Sequence, residues 1–296
     1  MRAERAVRAP DPSRHASGTL YVVATPIGNL EDLTMRALRI LKEVDLVAAE
    51  DTRHSRKLLQ HYGIATPLTS CYDHNELAKS GQILELLHQG RSVALISDAG
   101  TPAISDPGFQ LVRRCREEGL PVAAVPGPSA VVAALSIAGL PVDRFIFEGF
   151  LPAKSAARAT HLRRFVGEER TVVFYEAPHR LLKTLQAVVQ ELGPDRQLAV
   201  ARELTKLHEE LFRGTAGEAL RHFGNTPVKG EIVLLVAPSP APTLPAETVP
   251  EALRRLRAET GAPMRQIVKQ VAKMSGLSGS EVYRQSLLLD EEEEGR

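Results

Sequence analysis

Apolar positions along the chain follow two rhythms. Short unbroken runs at Leu20–Ala24, Leu46–Ala49, Val93–Ile96 and Val122–Val125 predict buried strands. Between them the spacing turns helical. Leu38 and Leu41 share a face behind the cap candidate Thr34. A second helix starts at Asp51 or Thr52 and runs to about His61. Leu77, Ile83, Leu84 and Leu87 mark a helix over 75–88, and Leu111, Val112 and Cys115 mark one over 109–117. Pro67 to Ser70 reads as a short strand, and the small residues of 129–138 as a helix. Alternating strands and helices predict an α/β domain over 19–142 with a mostly parallel sheet. From Asp143 the texture changes. Strands are expected at Phe145–Phe147, Thr171–Tyr175, Gln197–Arg202 and 229–236, with a hairpin region at 203–210. Leu181, Leu182, Leu185, Val188 and Val189 form one helical face. This second α/β domain, 143–237, is expected to carry a mixed sheet.

Prolines at 238, 240, 242, 245 and 250 make 238–249 a semi-rigid linker. Three short helices follow, at about 250–259, 263–274 and 279–288, the last opened by Ser278 with Glu281 as a capping box. Residues 250–289 thus read as a small helical domain resembling a helix-turn-helix module, tilted basic by Arg254, Arg255, Arg257, Arg265, Lys269, Lys273 and Arg284. Residues 1–18 read as a flexible extension and 290–296 as a disordered, solvated acidic tail.

Three strand ends carry loops rich in proline and glycine: Thr25-Pro26-Ile27-Gly28-Asn29-Leu30, Ser97 to Gly108, and Pro126-Gly127-Pro128-Ser129-Ala130. Loops at the carboxyl ends of strands are where open α/β sheets bind ligands. These loops are stiff, small in side chains and rich in free backbone groups. None has the spacing of a dinucleotide or P-loop fingerprint, so a ligand without a phosphate is favoured.

Composition narrows the field. The 296 residues are 43% hydrophobic and 25% charged, ordinary for a globular chain. Net charge is +1 and aromatics are 4% with no Trp, so any nucleic-acid contact must be a local patch. Cys71 and Cys115 make neither a disulfide framework nor a zinc site, and a reducing cytoplasm fits them. No metal is required by any cluster. No apolar stretch is long enough to span a membrane, and the Arg-bearing first 18 residues lack the apolar core of a secretory signal.

Charged groups converge at strand ends: Glu50, Asp51, Arg53, Glu176, His179, Arg180, Glu203, Lys206 and Glu209. Each has a plain structural reading beside a catalytic one. Asp51 or Thr52 can simply cap a helix, and the others can form ion pairs. Lys154, Arg158, Arg163 and Arg164 have no acid near them in sequence before Glu168, which favours a phosphate-facing patch.

The motifs Leu20 to Leu30, Ala49-Glu50-Asp51-Thr52-Arg53, Ile96 to Gly108, Val125 to Ala130 and Phe174-Tyr175-Glu176-Ala177-Pro178-His179-Arg180 together resemble the tetrapyrrole methylase superfamily. The resemblance covers roughly 19–237. Within the superfamily the motifs look like the branch that methylates the 2′-oxygen of a cytidine in 16S rRNA at the decoding centre. It implies two α/β domains with a cofactor cleft between them, plus a small C-terminal helical domain. It implies S-adenosylmethionine as cofactor, the small ribosomal subunit as partner, and a homodimer. Carried over by position, the cofactor residues are Pro26, Gly28, Asp98, Ala99, Gly100, Thr101, Pro102, Ser129, Ala130, Tyr175 and Gly230. The motifs do not name the base for a 2′-hydroxyl. The expectation is Lys206 with a lowered pKa, or Glu203, with Asp51 and Arg53 beside them. Arg53 and Arg180 are expected to anchor phosphates, and Lys154 and Arg158 to hold RNA. A tetrapyrrole carbon methyltransferase and a non-catalytic ribosome-binding protein are the rival readings.

Overall fold

A computed structural model describes residues 17–71, 76–225, 227–240 and 248–294. Most of the N-terminal extension and of the proline-rich linker lie outside the described residues. The chain divides into two compact units, Met1–Phe165 with Arg170–Ala237, and Val166–Glu169 with Pro238–Arg296.

The first unit opens with β1 (Leu20–Val23), α1 (Met35–Glu43), β2 (Leu46–Ala49), α2 (Thr52–His61), β3 (Leu68–Ser70), α3 (Glu76–His88), β4 (Val93–Ile96), α4 (Phe109–Glu117), β5 (Val122–Val125) and α5 (Ala130–Ile137). The five strands form a parallel sheet in the order β3-β2-β4-β1-β5. Every residue of β4 is buried, as expected of a central parallel strand covered on both faces. The helix starts follow local chemistry. Thr34 accepts a hydrogen bond from the Ala37 N–H, and Asp51 accepts one from the Arg53 N–H, so Asp51 rather than Thr52 is the cap.

The unit continues with β6 (Phe145–Phe150), α6 (Ser155–Arg163), β7 (Thr171–Glu176), α7 (Leu181–Leu192), β8 (Gln197–Arg202), β9 (Glu210–Thr215), α8 (Ala216–Gly224) and β10 (Ile232–Val236). Here the sheet is mixed, in the order β6-β7-β10-β8-β9, with only β6 and β7 parallel. A register shift between Phe147 and Phe150 lets β6 run past the stretch that its apolar run predicts. The sequence reading passes over Leu211 to Gly224, where β9 and α8 form and a Thr215–Glu218 capping box opens the helix.

Helix α5 of the first half packs on the second sheet, which joins both halves in one compact unit. Val131, Ala134, Leu135 and Ala138 on and after α5 pack with Val173, Ala199, Ala201, Val233 and Leu235 of the second sheet. The small side chains of α5 let it lie close against those strands.

The second unit holds α9 (Val249–Thr260), α10 (Met264–Ser275) and α11 (Gly279–Glu294) around Leu253, Leu256, Ile267, Val271 and Val282. The backbone of α11 stays helical through Glu294, so the acidic run extends a helix instead of forming a disordered tail. Ser278 accepts the Glu281 N–H as the capping pattern requires. No helix among the described residues is long and apolar enough to cross a membrane.

Candidate active site

The loops at the strand ends are tied to one another before any ligand is considered. Thr25 and Gly100 exchange backbone hydrogen bonds of 2.8 and 3.1 Å, joining the loop after β1 to the loop after β4. The Thr25 hydroxyl donates to the Ser97 carbonyl at 3.1 Å. The Asn29 N–H donates to the Thr205 hydroxyl at 3.0 Å, clipping the first half of the unit to the turn after β8. That clip needs a glycine at 28: a Cβ there would lie 2.5 Å from Lys206 Cγ and 2.9 Å from the Leu204 carbonyl oxygen.

Two cavities lie along this seam. The first, about 450 Å³, is lined by the loop after β4, the start of α5, Phe150, the end of β7 and the Gly230–Val233 segment. Ile27, Ile104, Leu204, Ile232 and Val233 give it apolar walls, and Asp106, Glu176 and Glu231 bring carboxylates. No Lys, Arg or His lines it. The second cavity, about 470 Å³, is lined by Thr25 to Gly28, Leu30, four residues of α2, Ser97 to Ala99, Lys206 and Glu231. Ile27, Ala99 and Glu231 line both. Four non-glycine residues adopt left-handed backbone conformations, Ala103, Ser105, Glu203 and Thr205. All four sit in loops that border these cavities, where such strain tends to concentrate at working sites.

Lys206 lines the second cavity and is fully engaged. Its Nζ is 2.8 Å from Glu203 Oε1 and 3.1 Å from Glu231 Oε2. Burial pulls the ammonium pKa down, but the two carboxylates more than offset it, and the net shift is upward. Glu203 is held below the usual carboxylate range, chiefly by Lys206 and then by the Glu231 N–H. The expected low-pKa lysine base is therefore corrected. The charged pair stabilises both ionised forms, so neither Lys206 nor Glu203 is set up to take a proton.

The other expected residues separate. Ala99, Gly100, Thr101, Ser129, Ala130, Tyr175 and Gly230 line the first cavity. Pro26, Gly28 and Asp98 line the second, whereas Pro102 is buried and lines neither. Burial, with Asp106 and Glu231 nearby, pushes the Tyr175 hydroxyl up to about 12, so it stays neutral. Asp51 is held down at about 2 by its side-chain hydrogen bond with Arg53, whose guanidinium spans both carboxylate oxygens at 2.8 and 3.2 Å. Neither residue lines a cavity, so the capping reading holds for Asp51. Arg180 is turned inward: its Nε lies 3.2 Å from the buried Glu176 carboxylate and its Nη2 donates to the Leu151 carbonyl. Arg158 is 4% exposed and donates to the Ala153 carbonyl, so it offers no charge to RNA. Arg163 pairs with Glu191 of α7 at 2.6 Å, a counter-charge far away in sequence. Of the four residues expected to hold RNA or its phosphates, Lys154 and Arg53 stay exposed, Arg53 in its pair with Asp51, while Arg158 and Arg180 turn inward.

Sequence reasoning missed Ile104, Phe150, Leu204 and the Ile232–Val233 pair of the first cavity, and Ser55 and Lys57 of the second. Apart from Ile104, which sits within the Ser97–Gly108 loop, these are apolar or ordinary helix residues outside the proline–glycine motifs, and only the folded loops bring them together. Among the described residues no group of three or more His, Cys, Asp or Glu could hold a metal.

The family described as Tetrapyrrole (Corrin/Porphyrin) Methylases matches residues 19–220, which contain both sheets up to α8. The chain belongs to the tetrapyrrole methylase family. It is a methyltransferase that depends on S-adenosylmethionine. The similarity to curated relatives extends over nearly the whole chain. A protein of Synechocystis sp. named Ribosomal RNA small subunit methyltransferase I is 48% identical over 92% of this chain and 99% of its own length. The protein of that name from Pseudomonas aeruginosa is 49% identical over 92% of this chain and 98% of its own. Among solved structures, the methyltransferase CobJ superposes with a TM-score of 0.58 at 21% identity, covering 78% of this chain and 97% of its own. Uroporphyrin-III C-methyltransferase from Thermus thermophilus, complexed with S-adenosyl homocysteine, gives 0.52 at 20% identity over 74% and 97%. At that identity the structures speak for the fold alone.

Proposed function

We propose that this methyltransferase acts on the 2′-oxygen of a cytidine ribose in 16S rRNA, at the decoding centre of the small ribosomal subunit. The reading is carried by the near full-length similarity to proteins named Ribosomal RNA small subunit methyltransferase I, at 48 and 49% identity. The cytidine, the 2′-oxygen and the decoding centre come from the motif resemblance. In this reading the chain works in the cytoplasm, where small subunits are assembled.

The first cavity suits the cofactor. It has carboxylates and apolar walls but no cationic side chain, which fits a ligand with a positive sulfonium and no phosphate. Ser129, Ala130, Gly100, Thr101 and Gly230 would hold it, with Asp106 and Glu231 offsetting its charge. S-adenosylmethionine supplies, when bound, a methyl carbon activated by the neighbouring sulfonium. The residues of this chain position the acceptor beside that cavity, and positioning is the main demand of an in-line transfer. The acceptor hydroxyl must shed a proton. With Lys206 and Glu203 locked together, Asp98 is the carboxylate we assign to receive it. Asp98 lines the second cavity and is itself held by the Asp51 N–H at 3.1 Å. The Lys206 ammonium, charged at neutral pH beside the same cavity, stabilises negative charge growing on the acceptor oxygen.

Incubation with labelled S-adenosylmethionine and, in parallel, unmodified small subunits, naked 16S rRNA and a tetrapyrrole precursor tests the proposal. Label on subunit RNA is expected. Label on the tetrapyrrole alone would move the chain to the carbon-methylating branch.

A further inference from the structure

The two cavities differ in charge. The first has carboxylates and no cationic side chain. The second gathers His54, Lys57 and Lys206 around Asp98 and Glu231. His54 and Lys57 are exposed and stand three residues apart on α2, so they share a helix face at the cavity wall.

A second, independent feature lies deeper in the same cavity. Ser55 is 2% exposed, yet its hydroxyl oxygen has no hydrogen-bond partner. A mid-helix serine ordinarily bonds back to the carbonyl four residues earlier. Here the Asp51 carbonyl accepts the Ser55 backbone N–H, while the hydroxyl is left unpaired. A buried polar group without a partner is uncommon in a folded protein and calls for an explanation, such as a ligand that completes it.

We propose that the second cavity is a nucleotide recess that takes the target nucleotide out of the RNA strand. The base would sit against Ser55 and Ser97, the ribose 2′-hydroxyl toward Asp98, and the flanking phosphates against His54 and Lys57. The volume, about 470 Å³, falls within the usual ~300–1,000 Å³ of small-molecule sites. An unstacked base is the form in which RNA exposes its hydrogen-bonding edge and its 2′-hydroxyl to a cleft. The shared wall of Ile27, Ala99 and Glu231 places the ribose of such a nucleotide next to the methyl-donor cavity. Lys206 then stands at the junction, on the acceptor side. The inference rests on RNA being the substrate, but it assigns a site and roles that the substrate reading alone does not.

The test is binding, without turnover. Cytidine 3′,5′-bisphosphate is titrated by calorimetry into the full chain saturated with S-adenosylhomocysteine. Saturable binding that coexists with S-adenosylhomocysteine is expected. Ser55→Ala should weaken it about fivefold, the loss of one neutral hydrogen bond. Its free-state Tm should stay level or rise, because an unpaired buried hydroxyl is removed. Lys57→Gln should weaken binding and flatten its dependence on salt. S-adenosylhomocysteine affinity should be the same in all three proteins, which controls for folding. Absence of bisphosphate binding, competition with S-adenosylhomocysteine, or equal affinity in both variants would overturn the recess. If subunit RNA is still methylated in that event, the substrate reading survives and only the recess is lost. If wild-type protein methylates no RNA, the substrate reading itself has failed.

Discussion

Gly230→Ala probes the wall between the cavities more sharply than any change in a charged residue. Gly230 has φ +89°, a backbone conformation that L side chains rarely adopt. A Cβ at this position would lie 2.3 Å from Cγ, Cδ and Oε1 of Glu203. Glu203 cannot simply swing away. Its own backbone is left-handed at φ +52°, its Oε1 accepts the Glu231 N–H at 3.0 Å, and the same oxygen holds Lys206. Backbone strain of about 1–3 kcal/mol adds to overpacking of about 1–3 kcal/mol, giving roughly 2–6 kcal/mol. For a unit of this size that is a fall in Tm of roughly 4–24 °C. Thermal unfolding by circular dichroism reads the stability, and calorimetry with S-adenosylhomocysteine reads the first cavity. Both should deteriorate, because the Glu203 carboxylate is displaced from Lys206. A fall in Tm below about 1 °C, with unchanged ligand affinity, would refute the tight Gly230–Glu203 packing.

Gly28→Ala should spare cofactor affinity more than it spares the KM for the RNA substrate, since its Cβ would push on Thr205 and Lys206 beside the second cavity; steady-state kinetics with ligand-binding controls separate the two. The Lys206–Glu203 pair gives stability a defined pH window. Glu203 is depressed from 4.5, so its contribution is complete above that value and is lost as pH falls through its folded pKa. Lys206 is raised from 10.5, so its contribution is complete below that value and is lost as pH rises through its folded pKa. Lys206→Met should remove the alkaline loss, as urea unfolding across pH will show. Cys115, pushed up to about 11 by burial first and Glu118 second, should resist thiol reagents in the folded chain at mildly alkaline pH and react on unfolding. Asp98→Asn should lower the transfer rate by about 100-fold or more, the usual worth of a general base. Cofactor affinity should change little, because Asp98 lines only the second cavity.

The fold was legible wherever local pattern dictates structure. The β4 run Val93–Ile96, the Thr34 and Asp51 caps and the Ser278–Glu281 pair all form as their residues require. The proline–glycine loops were readable as tight strand-end loops, and they border both cavities, because tight backbone geometry writes itself into composition. Charge partners were not legible. Arg163 finds Glu191 across a helix pair, Arg158 turns inward on α6, and Lys206 is clamped by Glu231 from another strand end. Each pairing depends on tertiary placement, and the sign of a pKa shift depends on the pairing. The same limit hid Ser55, an unremarkable serine on α2 until the Thr25–Leu30 loop closes a cavity over it.

The central claim is the chemical position of the transferred methyl group. Unmodified small subunits treated with the protein and labelled S-adenosylmethionine would be digested to nucleosides and analysed by mass spectrometry, with the modified site located by cleavage resistance. The account predicts one 2′-O-methylcytidine in 16S rRNA, at the decoding centre. Label on a base carbon or nitrogen, or on a tetrapyrrole in place of RNA, would contradict it.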